Sequence, residues 1–293
     1  MIYFLITALM FSLFEVVSKN IQIPPINLTF IRFFIGGSIL IIIAITKVAK
    51  DKLKIKKVDF IKMWLLGLIL IASAILLQIA LINTTVSFCV FIYSLNAIFM
   101  AFAGWVFLKE RPNNVIWFTS ALAFIGVGIL TNPFEGSLNL YSLIAIVSAV
   151  LYSLFNTFMF KVGRIYGNLL STSISIFFGA ISLGVVLLLT GSNLTYGLKN
   201  SNIVQILVIG VICSAFVYIM YYKTMEVLSV SIASTVFLIK PVLASILAAI
   251  FLKEIPSLTF IIGGILIFIS VSISVFSKIN KNIKLIEQKE SNN

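Results

Sequence analysis

Long apolar stretches separated by short polar segments follow one another along the whole chain. Ten of them are continuous, not alternating, and each approaches the roughly 20 residues that a helix needs to cross a bilayer. This pattern predicts an all-α membrane protein with ten transmembrane helices and excludes the alternating strands of a membrane barrel. The predicted spans are 2–18, 27–46, 60–82, 86–108, 115–130, 140–160, 169–190, 203–222, 228–252 and 258–276.

The composition supports this interpretation and removes several classes of enzyme. Of the 293 residues, 61% are hydrophobic and 10% are charged, whereas soluble domains carry roughly 45–50% and about 25%. The chain has no histidine, the commonest general base and metal ligand. Cys89 and Cys213 lie far apart inside apolar stretches, so we expect two buried, inert thiols, no metal site and no cofactor. A Walker motif for ATP hydrolysis is also absent from the sequence.

The positive charges predict the orientation. Sixteen of the 21 Lys and Arg residues fall on the side that also holds both termini, against three on the opposite side. By the positive-inside rule, both termini are expected in the cytoplasm, with the first span retained as a helix. The net charge of +12 then reflects topology, so we expect no nucleic-acid partner. Composition and the lack of eukaryotic targeting signals point to a bacterial inner membrane.

An internal repeat divides the chain. The sequence FLKERP at 107–112 recurs as FLKEIP at 251–256 with an offset of 144, and FSLFE at 11–15 matches YSLFN at 152–156 with an offset of 141. Each repeat holds five predicted helices, and an odd number reverses the direction of the second copy. The sequence therefore predicts two inverted five-helix repeats.

The repeats predict the domain boundaries and suggest a first hypothesis about function. We expect a first repeat over residues 1–135, a second over 136–277 and a cytoplasmic tail over 278–293. Inverted repeats place a substrate site at their interface that opens to either face in turn. This architecture predicts a secondary transporter that works by alternating access, and not an enzyme.

The same features resemble a known family. Two five-helix repeats, a fourth helix ending in Leu-x-Glu and a Gly-rich closing helix are similar to the EamA family of the drug/metabolite transporter superfamily. Pro241, thirteen residues before Glu254, and Arg32 also match, whereas Ala97 departs from the family's proline in the first half. The resemblance implies secondary transport of a small organic molecule, often export of amino acids or related metabolites, without naming the substrate.

Lys240 is the most central charged residue of the predicted spans. It lies about midway along span nine and directly precedes Pro241, which removes an amide donor and predicts a helix break. A buried lysine beside such a break suits an anionic group such as a carboxylate, or a proton that is cycled during transport. The alternatives are a structural pair with a buried acid or a lysine that snorkels along a cavity wall.

Glu15 and Arg32 lie at a similar predicted depth. One interpretation is a structural ion pair near the outer gate, and Glu15 is also four residues before Lys19, a favourable helical spacing. The other is that Glu15 lines the cavity and binds a substrate ammonium or a coupling proton. The polar residue Asn156 at the repeat-related position favours the second interpretation.

The remaining candidates are weaker. Polar and aromatic residues within the spans are candidates for a pocket that binds an aromatic or amino-acid-like solute: Tyr93, Asn96, Gln78, Tyr152, Tyr218 and Tyr222. Glu110 and Glu254 at helix ends are expected to anchor turns, with gate salt bridges as the alternative.

The sequence thus predicts a carrier of a small polar metabolite, an amino acid or a carboxylate, in the export direction. Its expected partners are this solute, the lipid bilayer and, as a candidate coupling ion, the proton. The rival within the class is efflux of amphipathic cationic drugs at Glu15, and the rival outside it is a membrane enzyme or scaffold. The sequence leaves the oligomeric state open.

Overall fold

The described part of the chain is helical. The structure is a computed structural model that describes residues 2–51, 55–109, 114–131, 139–228, 236–253, 258–259, 261–270 and 272–273. Within these ranges there is no β-strand. The helices of the first half are α1 (Ile2–Lys19), α2 (Pro25–Asp51), α3 (Lys57–Asn83), α4 (Val86–Ser94), α5 (Asn96–Leu108) and α6 (Asn114–Thr131).

The second half contains a change of helix type. Between α9 and α10 the backbone forms a nine-residue π-helix, Val208–Phe216, in which the Ser214 hydroxyl donates to the Ile209 carbonyl five residues earlier at 2.9 Å. No feature of the apolar pattern predicts this wider turn. The helices are α7 (Leu140–Tyr166), α8 (Asn168–Leu189), α9 (Ile203–Leu207), α10 (Val217–Leu228), α11 (Val236–Leu252) and α12 (Ile261–Ser270).

Length and composition identify membrane spans among these elements. Six segments in the described chain are long and apolar enough to cross a bilayer: 25–46, 57–83, 88–108, 140–166, 168–189 and 200–221. Three shorter apolar helices, Trp117–Gly126, Ile239–Leu252 and Ile261–Ser270, accompany them. All of them overlap spans predicted from the apolar stretches, so the prediction of an all-α membrane protein is confirmed at this level.

The surface is apolar and much of the interior is polar. Ile42, Phe118 and Leu189 are exposed, whereas Ser12, Ser175 and many other hydroxyl-bearing residues are fully buried. A water-soluble protein does not expose so many large apolar side chains in contiguous faces. The arrangement fits helices whose outer faces contact lipid and whose polar groups meet partners inside.

The described Phe-Leu-Lys parts of the duplicated segments, 107–109 and 251–253, end in the same backbone conformation. Lys109 ends α5 in the left-handed conformation with φ of 56°, and Lys253, directly after α11, has φ of 58°. A left-handed residue after a helix is a common way to satisfy the last carbonyl groups. The Lys109 amide donates to the Gly104 carbonyl accordingly. The sequence repeat therefore corresponds to a repeated helix end.

The predicted helix break at Pro241 is not observed. Helix α11 runs through Pro241, and the interrupted helix is that of the first half, where Leu95 separates α4 from α5. A proline removes a single amide donor, and neighbouring helices in a membrane protein compensate for the loss. Contacts with neighbouring helices also occur at this point of α11, where the Ser12 hydroxyl of α1 donates to the Lys240 carbonyl at 3.0 Å.

The two halves pack against each other through α1, α2, α3, α7 and α8. Helix α3 lies against α7 and α8, while α2 packs on α8 and on the π-helix. The backbones approach closely at Gly67 of α3, where an added Cβ atom would lie 2.1 Å from the Ser175 carbonyl oxygen of α8. Such contact requires glycine and brings the backbones together, as is common between membrane helices. The core therefore lies between the halves.

Candidate functional site

A small cavity lies between the two halves and collects most of the predicted polar residues. Its volume is about 30 Å³, and both halves contribute to its wall. The lining residues come from α1, α2, α3, α4, α7, the π-helix, α10 and α11: Phe11, Phe14, Glu15, Arg32, Leu70, Ser73, Ala74, Leu77, Tyr93, Tyr152, Cys213, Tyr218, Phe237 and Lys240.

A buried ion pair crosses this cavity from one half to the other. The Lys240 Nζ atom of α11 contacts the Glu15 Oε1 atom of α1, and the two side chains are 4% and 1% exposed. Removing two charges from water is costly, and the cost is offset only when they meet each other at close range. Together with the hydrogen bond from Ser12 to the Lys240 carbonyl, the pair joins α1 to α11.

The ion pair gives Glu15 a partner that corresponds to one alternative stated for Lys240, a lysine paired with a buried acid. Its carboxylate pairs with Lys240, while Arg32 lines the same cavity without a carboxylate within ion-pair distance in the described residues. Lys19 donates to the carbonyl groups of Leu81 and Thr84 at the end of α3. The expected Glu15–Arg32 pair therefore does not form, because α11 brings Lys240 closer. Glu15 lines the cavity, and its binding of a substrate ammonium or a coupling proton stays a prediction.

Arg32 is held between aromatic rings. Its guanidinium carbon lies 3.8 Å from the ring centroid of Phe14 and 4.2 Å from that of Phe33. The Nε atom is buried and has no hydrogen-bond partner within the ranges described. Cation–π contacts favour the charge but leave the N–H donors unused. The aromatic rings thus fix the position of the arginine, and its Nε–H group is left available as a hydrogen-bond donor.

Aromatic side chains form the other walls. The Lys240 Nζ atom lies 5.0 Å from the ring centroid of Tyr93, whose ring is 5.4 Å from that of Tyr152. Phe237 completes the aromatic part of the cavity wall, and its ring centroid lies 5.4 Å from those of Tyr152 and Phe11. These flat apolar surfaces suit the carbon skeleton of a small solute, and the charged groups suit its polar end.

Three predicted residues are buried but do not line the cavity. Asn96, at the start of α5, is fully buried, and neither atom of its side-chain amide has a hydrogen-bond partner in the described structure. Asn156 donates to the Tyr152 carbonyl at 2.8 Å, and Gln78 donates to the Ser18 carbonyl at 3.4 Å. They lie in the surrounding packing, within one helical turn of Tyr93, Tyr152 or Leu77.

Other predicted positions fall outside the described residues. They include Glu110 and Glu254, the side chain of Tyr222 and the tail 278–293. Their roles as helix anchors, gate groups or pocket residues stay predictions.

Sequence reasoning missed the apolar part of the wall. Phe11 lies four residues before Glu15 and Phe237 lies three before Lys240, so helical spacing from the charged residues would have identified both. Leu70, Ser73 and Leu77 follow the same spacing along α3. What sequence spacing does not give is the rotation of each helix that turns these positions toward the cavity.

The chemistry available at this site is binding. No cluster of three His, Cys, Asp or Glu side chains suited to a metal occurs in the described part of the chain. Cys89 and Cys213 are both free and buried, as expected. One carboxylate, two cations and several phenols can bind a charged solute or exchange ion-pair partners.

Comparison with known proteins gives a consistent result. The model of the EamA-like transporter family matches residues 1–132 and 139–276. An uncharacterized transporter of Clostridium kluyveri is 32% identical, covering 96% of this chain and 94% of its own length. The uncharacterized transporter YxxF of Bacillus subtilis is 23% identical, covering 90% of this chain and 85% of its own.

A solved structure supports the fold. One crystal structure superimposes with a TM-score of 0.70 at 15% sequence identity, covering 95% of this chain and 97% of that one. The family match covers both halves of the chain, and the described helices are apolar enough to span a bilayer. The chain therefore belongs to the EamA-like transporter family and is a multi-pass membrane protein.

Proposed function

We propose that this protein is a secondary transporter that carries a small polar metabolite, an amino acid or a carboxylate, out of the cell by alternating access. The observation that carries the proposal is the Glu15–Lys240 ion pair, which lies beside Arg32 in a cavity formed by both halves. Intramembrane ionisable residues are costly, and in membrane proteins they mark substrate and ion pathways. Protons are the proposed coupling ion, because intramembrane carboxylates such as that of Glu15 take part in proton relays in transporters.

The proposal includes a ten-helix arrangement of two inverted repeats. The pattern of contacts supports it, because contacts between the halves occur in related pairs. Helix α3 packs on α7 as α10 packs on α1, and α11 packs on α1 as α5 packs on α7. The matching left-handed residues Lys109 and Lys253 at the repeated helix ends add a local correspondence. Inverted repeats of this kind allow a site to face either side in turn.

The size of the cavity supports a cycle with a closed stage. Binding sites for small molecules have volumes of roughly 300–1,000 Å³, whereas this cavity has about 30 Å³. A solute would enter only when the helices that carry Glu15 and Lys240 move apart. We propose that the ion pair holds the empty site closed and forms again once the solute is bound.

The membrane and orientation are proposed from the charge distribution. Lys and Arg residues concentrate on the side of both termini, which favours a cytoplasmic location of that side in a bacterial inner membrane. The lipid bilayer and the solute are then the proposed partners. We propose a transporter and not an enzyme, consistent with the names of the two relatives.

The test is counterflow with full-length protein in liposomes. Vesicles preloaded with unlabelled amino acids or small carboxylates should accumulate the labelled solute, and a pH gradient should change the rate if protons are coupled. Lys240→Met should abolish accumulation. The matched control is Lys161→Met, since Lys161 is exposed near the end of α7. Equal activity of both variants would contradict the role of Lys240.

Efflux of amphipathic cations is the alternative outcome of the same assay. It would require that labelled organic cations exchange while amino acids and carboxylates do not, with loss of exchange in Glu15→Gln. The cavity disfavours this outcome, because Glu15 already has a cationic partner in Lys240. A folded protein that exchanges no solute of any class would support a scaffold or enzyme instead.

A further inference from the structure

We infer that the transported species carries one net negative charge and that Arg32, not Lys240, receives its anionic group. The inference rests on the proposed function and narrows its substrate class. Three charged side chains line the cavity: Glu15, Arg32 and Lys240. Because Glu15 and Lys240 neutralise each other, one positive charge is left, and it belongs to Arg32.

Arg32 has the properties of a prepared anion receptor. Its guanidinium is positioned by the rings of Phe14 and Phe33, and its buried Nε atom has no hydrogen-bond partner among the residues described. An unmatched buried donor is unfavourable, and more so when it is charged. A carboxylate matches the fork of N–H donors with two parallel hydrogen bonds, so an anion would satisfy what the protein leaves unpaired.

The charge balance distinguishes an anion from a zwitterion or a cation. A monoanion on Arg32 leaves every charge in the cavity paired, with the Glu15–Lys240 interaction intact. An ammonium group has Glu15 as its carboxylate partner at this site, through the Oε2 atom, which has no hydrogen-bond partner among the residues described. Because Lys240 already neutralises this carboxylate, the ammonium group would add a buried positive charge that nothing balances. A buried charge without a counter-charge is strongly unfavourable. The site therefore selects anions over zwitterions, and zwitterions over cations.

The same balance has a consequence for the transport cycle. The site loaded with a monoanion is electrically neutral, while the empty site holds the net charge of Arg32. A buried net charge in a medium of low dielectric constant opposes rearrangement. The loaded protein should therefore reorient faster than the empty one, which makes exchange of anion for anion faster than net transport.

The aromatic walls specify the rest of the solute. Tyr152 and Phe237 lie edge to face at 5.4 Å, and Phe11 contributes a third apolar surface. These surfaces favour a flat or branched apolar body attached to the anionic group. The chemical class is thus an organic monoanion, such as a carboxylate on an aromatic skeleton.

Counterflow with solutes that differ only in charge tests the inference. Two sets are used: 3-phenylpropanoate, phenylalanine and 2-phenylethylamine, and the shorter propanoate, alanine and ethylamine. In liposomes containing the full chain, the anion of a set should exchange fastest. Arg32→Gln should reduce anion exchange below saturation by about 10- to 100-fold, as expected for a lost charge-assisted hydrogen bond. Arg32→Lys, which keeps the charge, should lose less.

Arg164→Gln provides the matched control. It is the same substitution on an exposed arginine whose guanidinium lies 4.2 Å from the Phe160 ring centroid, away from the cavity lining. It should leave exchange within about twofold of the parent. If Arg32→Gln fails to fold, the charge preference of the parent protein still tests the monoanion, and the Arg32→Lys variant still tests the role of Arg32.

The outcomes separate this inference from the proposed function. Exchange of phenylalanine or alanine at a rate equal to or above that of the anion overturns the monoanion and leaves amino-acid transport standing. Anion exchange that survives in Arg32→Gln overturns the role of Arg32. Absence of exchange for all six solutes with folded protein contradicts the inference and the proposed function together.

Discussion

Two related contacts between the halves carry different chemistry. Where α1 meets α11, Glu15 pairs with Lys240. The sequence offsets of 141 and 144 relate these residues to Asn156 of α7 and Asn96 of α5, two helices that also pack together. The repeat therefore preserved two polar positions while only one contact became charged. Positions that match in the sequence repeat thus carry different chemistry in the two halves.

The backbones of the two halves differ at the same depth. In the first half the helix is interrupted at Leu95, one residue before Asn96, whereas α11 continues through Lys240 and Pro241. The interruption occurs in the half without the proline. A missing amide donor is therefore neither necessary nor sufficient for a helix break at this position. We infer that packing against neighbouring helices determines where the helix is interrupted.

The largest expected difference is between substitutions at the two related positions. Lys240→Met leaves Glu15 as an unpaired buried charge and should lower the free energy of unfolding by about 3–5 kcal/mol. Asn96→Leu removes a buried amide whose two polar atoms have no hydrogen-bond partner in the described chain. This change should raise the free energy of unfolding by about 1 kcal/mol. Denaturant unfolding in detergent micelles measures both.

The opposite signs of the two changes in the free energy of unfolding test the comparison more sharply than their sizes. If Asn96→Leu destabilises the protein by as much as Lys240→Met, the Asn96 amide has a partner and the two contacts are closer in character than the structure indicates. Asn96→Asp serves as a control, because it keeps the shape of the side chain and adds a charge. It should be the least stable of the Asn96 variants.

The second prediction measures the ion pair itself. In a double-mutant cycle, Glu15→Gln combined with Lys240→Met should be less destabilising than the sum of the two single changes, with a coupling energy of about 2–3 kcal/mol. The reason is that each single change leaves one buried charge without its partner. The same cycle at Asn156 and Asn96, with both residues changed to Leu, should show coupling below about 0.5 kcal/mol. Coupling of equal size at both contacts would contradict the asymmetry.

The sequence predicted the helices better than the site. Lipid requires each span to be a continuous apolar stretch with internal hydrogen bonds, so composition alone gave spans that the described helices overlap. It also predicts a similar depth for Glu15 and Arg32, but depth does not determine rotation about a helix axis. Lys240, more than two hundred residues away, reaches Glu15 because α1 and α11 cross there. The residues of Val208–Phe216 are apolar like those of the other spans, so the composition of this segment does not predict its π-helix.

Helix spacing provides the third prediction. Gly67→Ala places a methyl group 2.1 Å from the Ser175 carbonyl oxygen, so α3 and α8 must separate, at a cost of about 1–3 kcal/mol. At Gly104 of α5, no atom of the described residues beyond the adjoining residues and the nearby backbone of its own helix lies within 4 Å of an added Cβ. Gly104→Ala should therefore be neutral or more stable by up to about 1 kcal/mol. Thermal unfolding of the two variants checks the difference, and an unchanged Gly67→Ala would mean that the two helices are farther apart.

The smallest expected effect compares the hydroxyl contacts of the related helix pairs. Between α3 and α7, the Ser148 hydroxyl donates to the Ser73 carbonyl at 2.7 Å and the Ser73 hydroxyl donates to the Ser148 carbonyl at 2.9 Å. Between α1 and α10, the Thr7 and Thr224 hydroxyls are 3.5 Å apart, at the limit of a hydrogen bond. Ser148→Ala should cost about 0.6–1.7 kcal/mol, the range measured for hydrogen bonds between membrane helices.

Thr224→Val should cost less than about 0.5 kcal/mol, because its hydroxyl also donates to the Met220 carbonyl within its own helix and the contact with Thr7 is long. Reciprocal bonds hold α3 and α7 in one register, whereas the long contact leaves α1 and α10 freer to slide. If the site opens by movement of one helix pair, α1 and α10 are then the pair that moves. A larger loss of stability in Thr224→Val than in Ser148→Ala would reverse that assignment.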